Sequence, residues 1–317
     1  MREFLYLQEL YRDFFCVCCC PGLYVGNLKG GLKMGKYIWN LYVNRFYTKR
    51  NLVLFVILWI AFDSFYAEID YACKVLDYPC SFWYFLNVMT NHFMCGAIGL
   101  SAVYLFSNAP YLNRNGMYQM IRQGKYKWLL SQLGSIILSG FSFTAVLFFT
   151  GWIRMLPHMD WTLSWGRMMK TLAVTNAASQ LNVTFVLKPS FMQSMEAWQA
   201  GLLAFMLDSF VFILIGFLIL AIGLLFNRMA ALIFTGILAI VPFVTNSWNL
   251  SRHLMINLFS PVSWLQTGLF YTENMTYAEM PPVLWIWGML AVYLALAVFL
   301  ALLGIKRNYF QWNGEEE

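Results

Sequence analysis

The sequence predicts an all-α, polytopic membrane protein with six transmembrane helices, an N-terminal amphipathic interfacial helix, and short re-entrant or interfacial helices on the outer side. Three observations predict it. Of 317 residues, 60% are hydrophobic and only 11% are charged, where a soluble domain carries about 25% charged residues. The apolar residues come in continuous runs close to the 20 or so that a helix needs to cross a bilayer, not in the alternation of a β-barrel. The basic residues gather at the ends of alternate runs, as cytoplasmic loops do. Together these exclude a soluble enzyme, a nucleic-acid binder and a disordered chain.

Residues 1–33 differ from the rest. Cys16, Cys18, Cys19 and Cys20 cluster ahead of Pro21 and a Gly-rich stretch to Gly35. Glu3, Glu9, Arg12 and Asp13 interrupt the apolar run, so a cleaved signal peptide is not expected. Acylation of the cysteines is one reading; their spacing is wrong for the usual paired zinc ligands. The competing reading is a translated leader. Gly30-Gly31 can encode a purine-rich ribosome-binding signal, and the functional chain would then begin at Met34.

From Met34 to Thr48, Ile38, Tyr42 and Phe46 recur every four residues, with Asn40, Asn44 and Thr48 opposite. This separation predicts an amphipathic helix on the membrane surface, its aromatics at headgroup level. Six spans follow, at 51–69, 83–106, 128–151, 201–226, 229–245 and 283–304. The fifth is short and contains Pro242, which could break it. Residues 34–310 form one membrane domain, and 311–317 an acidic cytoplasmic tail.

The placement of charge orients these spans. Arg2, Arg12, Lys29, Lys33, Lys36, Arg45, Lys49 and Arg50 precede the first span. Arg114, Arg122, Lys125 and Lys127 follow the second, Arg228 lies between the fourth and fifth, and Lys306 and Arg307 follow the sixth. That is fifteen of the 21 basic residues on one side, which makes both termini cytoplasmic in a multi-pass protein of the cell membrane. The net charge of +6 then follows from topology and calls for no nucleic acid.

Two loops stand out. Between spans two and three, Asn115–Arg122 predicts a short cytoplasmic helix that Gly124 can end. It suits docking to a partner, or it is an ordinary positive-inside loop. On the outer side, Trp161, Trp165, Met168, Met169 and Leu172 recur at helical spacing and predict an interfacial helix, and 254–265 is apolar but too short to span.

Here the chain resembles the permease subunits of type-2 ABC transporters over about Met34–Phe310. The resemblance is carried by the six-span layout, the amphipathic entry helix, the basic loop after span two with its Arg122-x-Gly124-x-x-x-Trp128, and the outer Ser260-Pro261-Val262-Ser263-Trp264. It implies that Asn113, Arg114, Asn115, Gly116, Met117, Tyr118 and Arg122 form a coupling helix docked on a cytoplasmic ATPase, that a second permease subunit pairs with this one, and that ATP and Mg act in the partner chain. It implies export of a lipid, peptide, glycan or drug-like molecule, with Ser260, Pro261, Ser263 and Trp264 in an outer re-entrant motif. The Cys-rich extension departs from the family's pattern.

Inside the spans, Asp63 and Asp208 fall in the outer half of the bilayer when counted at 1.5 Å per residue. With Asn87 and Asn91 they are candidates for the translocation path, because polar groups in lipid are costly to keep. The competing reading is interhelical hydrogen bonding that serves assembly, and it extends to His92. Gly134, Ser135, Ser139 and Gly140 on span three, and Gly96, Ala97, Gly99 and Ser101 on span two, allow close helix contact, within a subunit or across a dimer. Cys73 and Cys80 share the first outer loop and could form a disulfide.

There is no GxxxxGK[ST] for ATP hydrolysis, no HExxH and no GxSxG. His92, His158 and His253 are far apart in sequence, so no metal site or cofactor is expected in this chain. A membrane-embedded lipid enzyme would need an acid or histidine cluster. An ion-coupled secondary transporter would need internal repeats and helices broken at the midplane.

Overall fold

The computed structural model describes residues 30–110, 120, 124–156, 159–175, 177–181, 183, 187, 189–245, 255–270 and 280–307. The chain divides into Met1–Tyr37 and Ile38–Glu317. Residues 1–29 of the Cys-rich extension and the acidic tail lie outside the described residues, and α1 takes in the last four residues of the extension.

Helix α1 (Gly30–Phe46) ends at a corner that leads into α2 (Lys49–Leu76). Asn51 makes the corner: its Nδ2 donates to the carbonyls of Arg45 (2.8 Å) and Phe46 (3.0 Å), which the end of α1 leaves unpaired. The aromatic face of α1 differs from expectation. Tyr42 and Phe46 are buried. The Tyr42 hydroxyl pairs with Ser142 Oγ at 2.7 Å, and Arg45 Nη1 donates to Ser135 Oγ at 2.8 Å. Trp39 and Tyr47 are the exposed aromatics. The spacing that separates an apolar face cannot tell a protein neighbour from lipid.

Helix α2 runs 28 residues, about 42 Å, and passes the expected end at residue 69. Lys74 and Asp70 pair at 2.7 Å one turn apart, and the helix stops where Asp77 adopts a left-handed conformation before Pro79. Its buried stripe is Leu54, Leu58, Phe62, Tyr66 and Ile69, while Leu52, Val53, Val56, Ile57 and Ile60 are exposed and apolar. A helix apolar on both faces belongs in lipid.

The second expected span is not one straight helix. A 3-10 turn (Phe82–Tyr84) and α3 (Phe85–Val88) are followed by a break, and α4 (His92–Phe106) leaves at 95°. Asn91 causes the restart. Extended at φ −81°, its Oδ1 accepts from the backbone N–H of Phe93 (2.7 Å) and Met94 (3.2 Å). Thr90 Oγ1 donates to the Asn87 carbonyl at the end of α3.

Helix α5 (Lys125–Met155) returns to the other end of the bundle. There β1 (Cys80–Ser81) and β2 (Met159–Asp160) form a two-residue parallel ladder, and α6 (Gly166–Val174) packs on β1. The apolar face of α6, with Trp165 just before it, is buried in protein instead of lying at an interface: Trp165, Met168, Met169 and Leu172 are covered. Short helices α7 (Ala177–Gln180) and α8 (Pro189–Ser194) lead to α9 (Ala197–Leu225).

Helix α9 is the hub. It starts four residues earlier than expected, at a reciprocal cap between Glu196 and Gln199, and it touches α4, α5, α10 (Arg228–Thr245) and α11 (Val283–Arg307). The small residues explain the close approaches, all within this chain. A Cβ on Gly140 would lie 2.6 Å from Ile213 of α9, and one on Gly216 would lie 2.5 Å from Ile136 of α5. Gly96 faces the Phe243 ring of α10. Pro242 does not end α10, which continues to Thr245.

Among the described residues four helices, α2, α5, α9 and α11, are long and apolar enough to cross a membrane; the bent α3–α4 pair makes a fifth if it counts as one span, and α10 is apolar but shorter.

Candidate functional site: a clamped loop and a buried polar core

Residues 111–119 and 121–123 lie outside the described residues, and with them the candidate coupling residues Asn113, Arg114, Asn115, Gly116, Met117, Tyr118 and Arg122. The structure describes how the two ends of this loop are held.

At its start, two arginines meet the end of α4. Arg50 donates from Nη1 to Ser107 Oγ (2.9 Å) and from Nη2 to the Leu105 carbonyl (3.2 Å), and it lies 4.9 Å from the centre of the Tyr104 ring. Arg228 donates from Nε to the Ser107 carbonyl (2.8 Å) and from Nη2 to Asn108 Oδ1 (2.8 Å). Cations suit the negative end of a helix dipole. Pro110 then rests on α9, where a Cβ at Gly223 would come within 2.7 Å of its Cδ.

At its end, Gly124 has φ +88° and donates its N–H to the Met120 carbonyl at 2.9 Å. This left-handed cap favours glycine. One turn later Trp128 is fully buried. The Arg-x-Gly-x-x-x-Trp pattern therefore contains a turn and an anchor. Three segments assigned to one side by their charge, around Arg50, Asn108 and Arg228, do meet at one end of the bundle.

The other polar centre lies at mid-bundle. Asp208 is 0% exposed on α9, about 16 Å from the helix start. Neither carboxylate oxygen has a hydrogen-bond partner among the described residues. A buried charge without partners is costly, so the assembly reading of Asp208 loses its hydrogen bond. Cys95 of α4 is also fully buried, and its Sγ donates to the Met89 carbonyl at 3.1 Å. Gln266 Nε2 is 2.7 Å from His92 Nδ1. A hydrogen bond thus links the start of α4 to the segment after α10.

That segment holds the outer motif. Two 3-10 turns, Val262–Leu265 and Thr267–Leu269, are buried against α4, α9 and α10. Ser263 Oγ donates to Ser260 Oγ at 3.0 Å. Trp264, 0% exposed, donates from Nε1 to the Asn257 carbonyl at 2.7 Å and stacks on Tyr293 of α11 at 6.0 Å. Pro261 is the residue from which the first turn starts. Irregular backbone at this depth is tolerable because protein surrounds it.

The other path candidates separate. Asp63 is half-buried on α2. Asn87 is buried with Oδ1 unpaired. Asn91 caps the start of α4. Residue reasoning missed Gln266, Cys95 and Thr267, all buried. A glutamine and a threonine inside an apolar stretch were the available signal. A cleft of about 590 Å³ also lies between α6, α8 and the start of α9, lined by Leu163, Trp165, Lys170, Met192 and Trp198 among others. Among the described residues no group of three His, Cys, Asp or Glu side chains is placed to hold a metal ion.

No protein-family model, curated protein or solved structure matches the chain.

Proposed function

We propose that this chain is the permease subunit of an ATP-driven exporter of the type-2 ABC class. The supporting observation is the clamped loop: Arg50 and Arg228 hold its start, and the Gly124 turn and buried Trp128 hold its end. A surface that passes motion from a cytoplasmic ATPase to the membrane must be joined stiffly to the spans at both ends. In this reading the bent α3–α4 pair is the second crossing and α10 the fifth, so six spans leave both termini in the cytoplasm of a cell-membrane protein. Two permease subunits pair, each docks one ATPase through Asn113–Arg122, and ATP and Mg stay in the ATPase. Asp63, Asn87 and Asp208 border the route of a lipid, peptide, glycan or drug-like cargo.

Replacing Arg114 and Arg122 together by glutamate reverses the loop's charge without touching either clamp. The variant should insert and fold as the wild type does and lose ATPase on co-purification. Full ATPase recovery would remove this loop as the docking surface.

A second reading, an ion-coupled secondary transporter, is favoured by one observation. A broken helix and an irregular segment meet beside α9, which carries a buried carboxylate unpartnered among the described residues, as ion-coupling sites do. Transport by reconstituted protein that follows an imposed ion gradient without any ATPase would select it.

A further inference from the structure

The cleft between α6, α8 and the start of α9 has a volume of about 590 Å³, the size of a small-ligand site. Its floor is fixed: Trp165 is buried and donates from Nε1 to the Met195 carbonyl at 2.9 Å. Its lining carries one charge of each sign. Lys170 of α6 is exposed and, among the described residues, has neither a hydrogen bond nor an ion pair. Glu196 is exposed just ahead of α9; it caps the helix, and its Oε2 accepts from Trp198 Nε1 at 2.6 Å. A carboxylate has about four acceptor positions, so Glu196 can still take an ammonium group. From this cleft an apolar stripe runs down α9. Trp198, Leu202 and Met206 follow one another at four-residue spacing and are exposed at 41%, 55% and 37%. The stripe is about 12 Å long and stops at Phe210, which packs on Trp287 of α11 with ring centres 5.7 Å apart. Because α9 is long and apolar enough to cross a membrane, the cleft lies where that helix enters, at headgroup depth, and the stripe faces acyl chains.

We propose that this cleft binds the headgroup of a phosphatidylethanolamine-type phospholipid. Lys170 takes the phosphate, Glu196 accepts from the primary ammonium, and one acyl chain lies along Trp198, Leu202 and Met206. Each feature argues against another occupant. An anionic lipid without an amine would leave the Glu196 carboxylate beside a second negative group. A choline headgroup has no N–H to donate to that carboxylate. A soluble zwitterion would use both charges and leave the stripe unused, whereas a lipid at headgroup depth fills cleft and stripe together. The bound lipid would join α6 to α9 across the cleft. The site rests on α9 crossing the membrane and not on the transport reading, and it holds for either orientation of the chain.

Native mass spectrometry of the full-length wild-type chain in detergent tests the proposal. The protein is titrated with phosphatidylethanolamine, phosphatidylcholine and phosphatidylglycerol of identical acyl chains. The first phosphatidylethanolamine should bind about fivefold more tightly than either of the others, the scale of an exposed ion pair. Lys170→Ala and Glu196→Gln should each abolish that preference. Lys170→Ala removes an exposed side chain that has no partner among the described residues, so its lipid-free melting temperature should match the wild type. Glu196→Gln keeps an oxygen for Trp198 Nε1. Glycerophosphoethanolamine, which has the headgroup without acyl chains, should not compete at the same concentration. Equal binding of the three lipids to the wild type, tighter binding of phosphatidylglycerol, or a preference unchanged in Lys170→Ala would overturn the proposal. Full competition by glycerophosphoethanolamine would make the occupant a soluble molecule and overturn it as well. The comparison of lipids on the wild type needs no variant to fold.

Discussion

Asp208 shows what a single residue can reveal. Its carboxylate sits within α9 with neither oxygen bonded among the described residues. Structural acids in membranes earn their place through partners; this one has none among the described residues. Asp208→Asn keeps the shape and removes the ionisable group. It should leave the fold intact and keep the detergent-solubilised protein within about 1 kcal/mol of the wild type, since an unpartnered neutral carboxyl and an unpartnered amide of the same size are similarly costly to bury. Thermal unfolding followed by tryptophan fluorescence checks it. A clear loss of stability would mean that the carboxylate has a structural partner. On the permease reading proposed above, transport should fall in the same variant.

The break between α3 and α4 is decided at the level of the element. Composition alone extends an apolar helix from Trp83 to Phe106. The side chains of Thr90 and Asn91 offer the backbone other partners, and the helix stops and restarts. Asn91→Ala removes the cap of α4 and should cost about 1 kcal/mol, with Asn91→Ser recovering most of it. Melting temperatures of the three proteins decide the point. An alanine variant as stable as the wild type would assign the break to neighbouring helices. The signature was present in the sequence, an asparagine just ahead of an apolar run, but inside a long apolar segment it also reads as interhelical glue. Helix ends elsewhere shifted for similar reasons. The Glu196–Gln199 cap starts α9 early, and the Asp70–Lys74 pair carries α2 late.

Across the whole molecule, contacts sort the chain into two ends. Arg50, Asn108 and Arg228 meet at one; Cys80 pairs with Met159, and Trp165 Nε1 bonds the Met195 carbonyl at 2.9 Å, at the other. The positive-inside reading makes the first end cytoplasmic. It is tested with Cys16, Cys18, Cys19 and Cys20 changed to serine. A membrane-impermeant maleimide added to intact cells should label Leu163→Cys, at a position 69% exposed, and should reach Lys306→Cys only after lysis. The opposite pattern would invert the topology and detach the loop at Asn113–Arg122 from any cytoplasmic partner.

The membrane class, the four long helices and the grouping of basic residues were legible in the sequence because each depends on the composition of one local segment: burying charge in lipid is costly wherever the segment goes. The close approaches at Gly140 and Gly216, the burial of Trp264 under Tyr293, the inward turn of Tyr42 and the isolation of Asp208 were decided by the tertiary structure. Each depends on which surface comes to lie opposite, and no periodicity along a single chain segment encodes its neighbour.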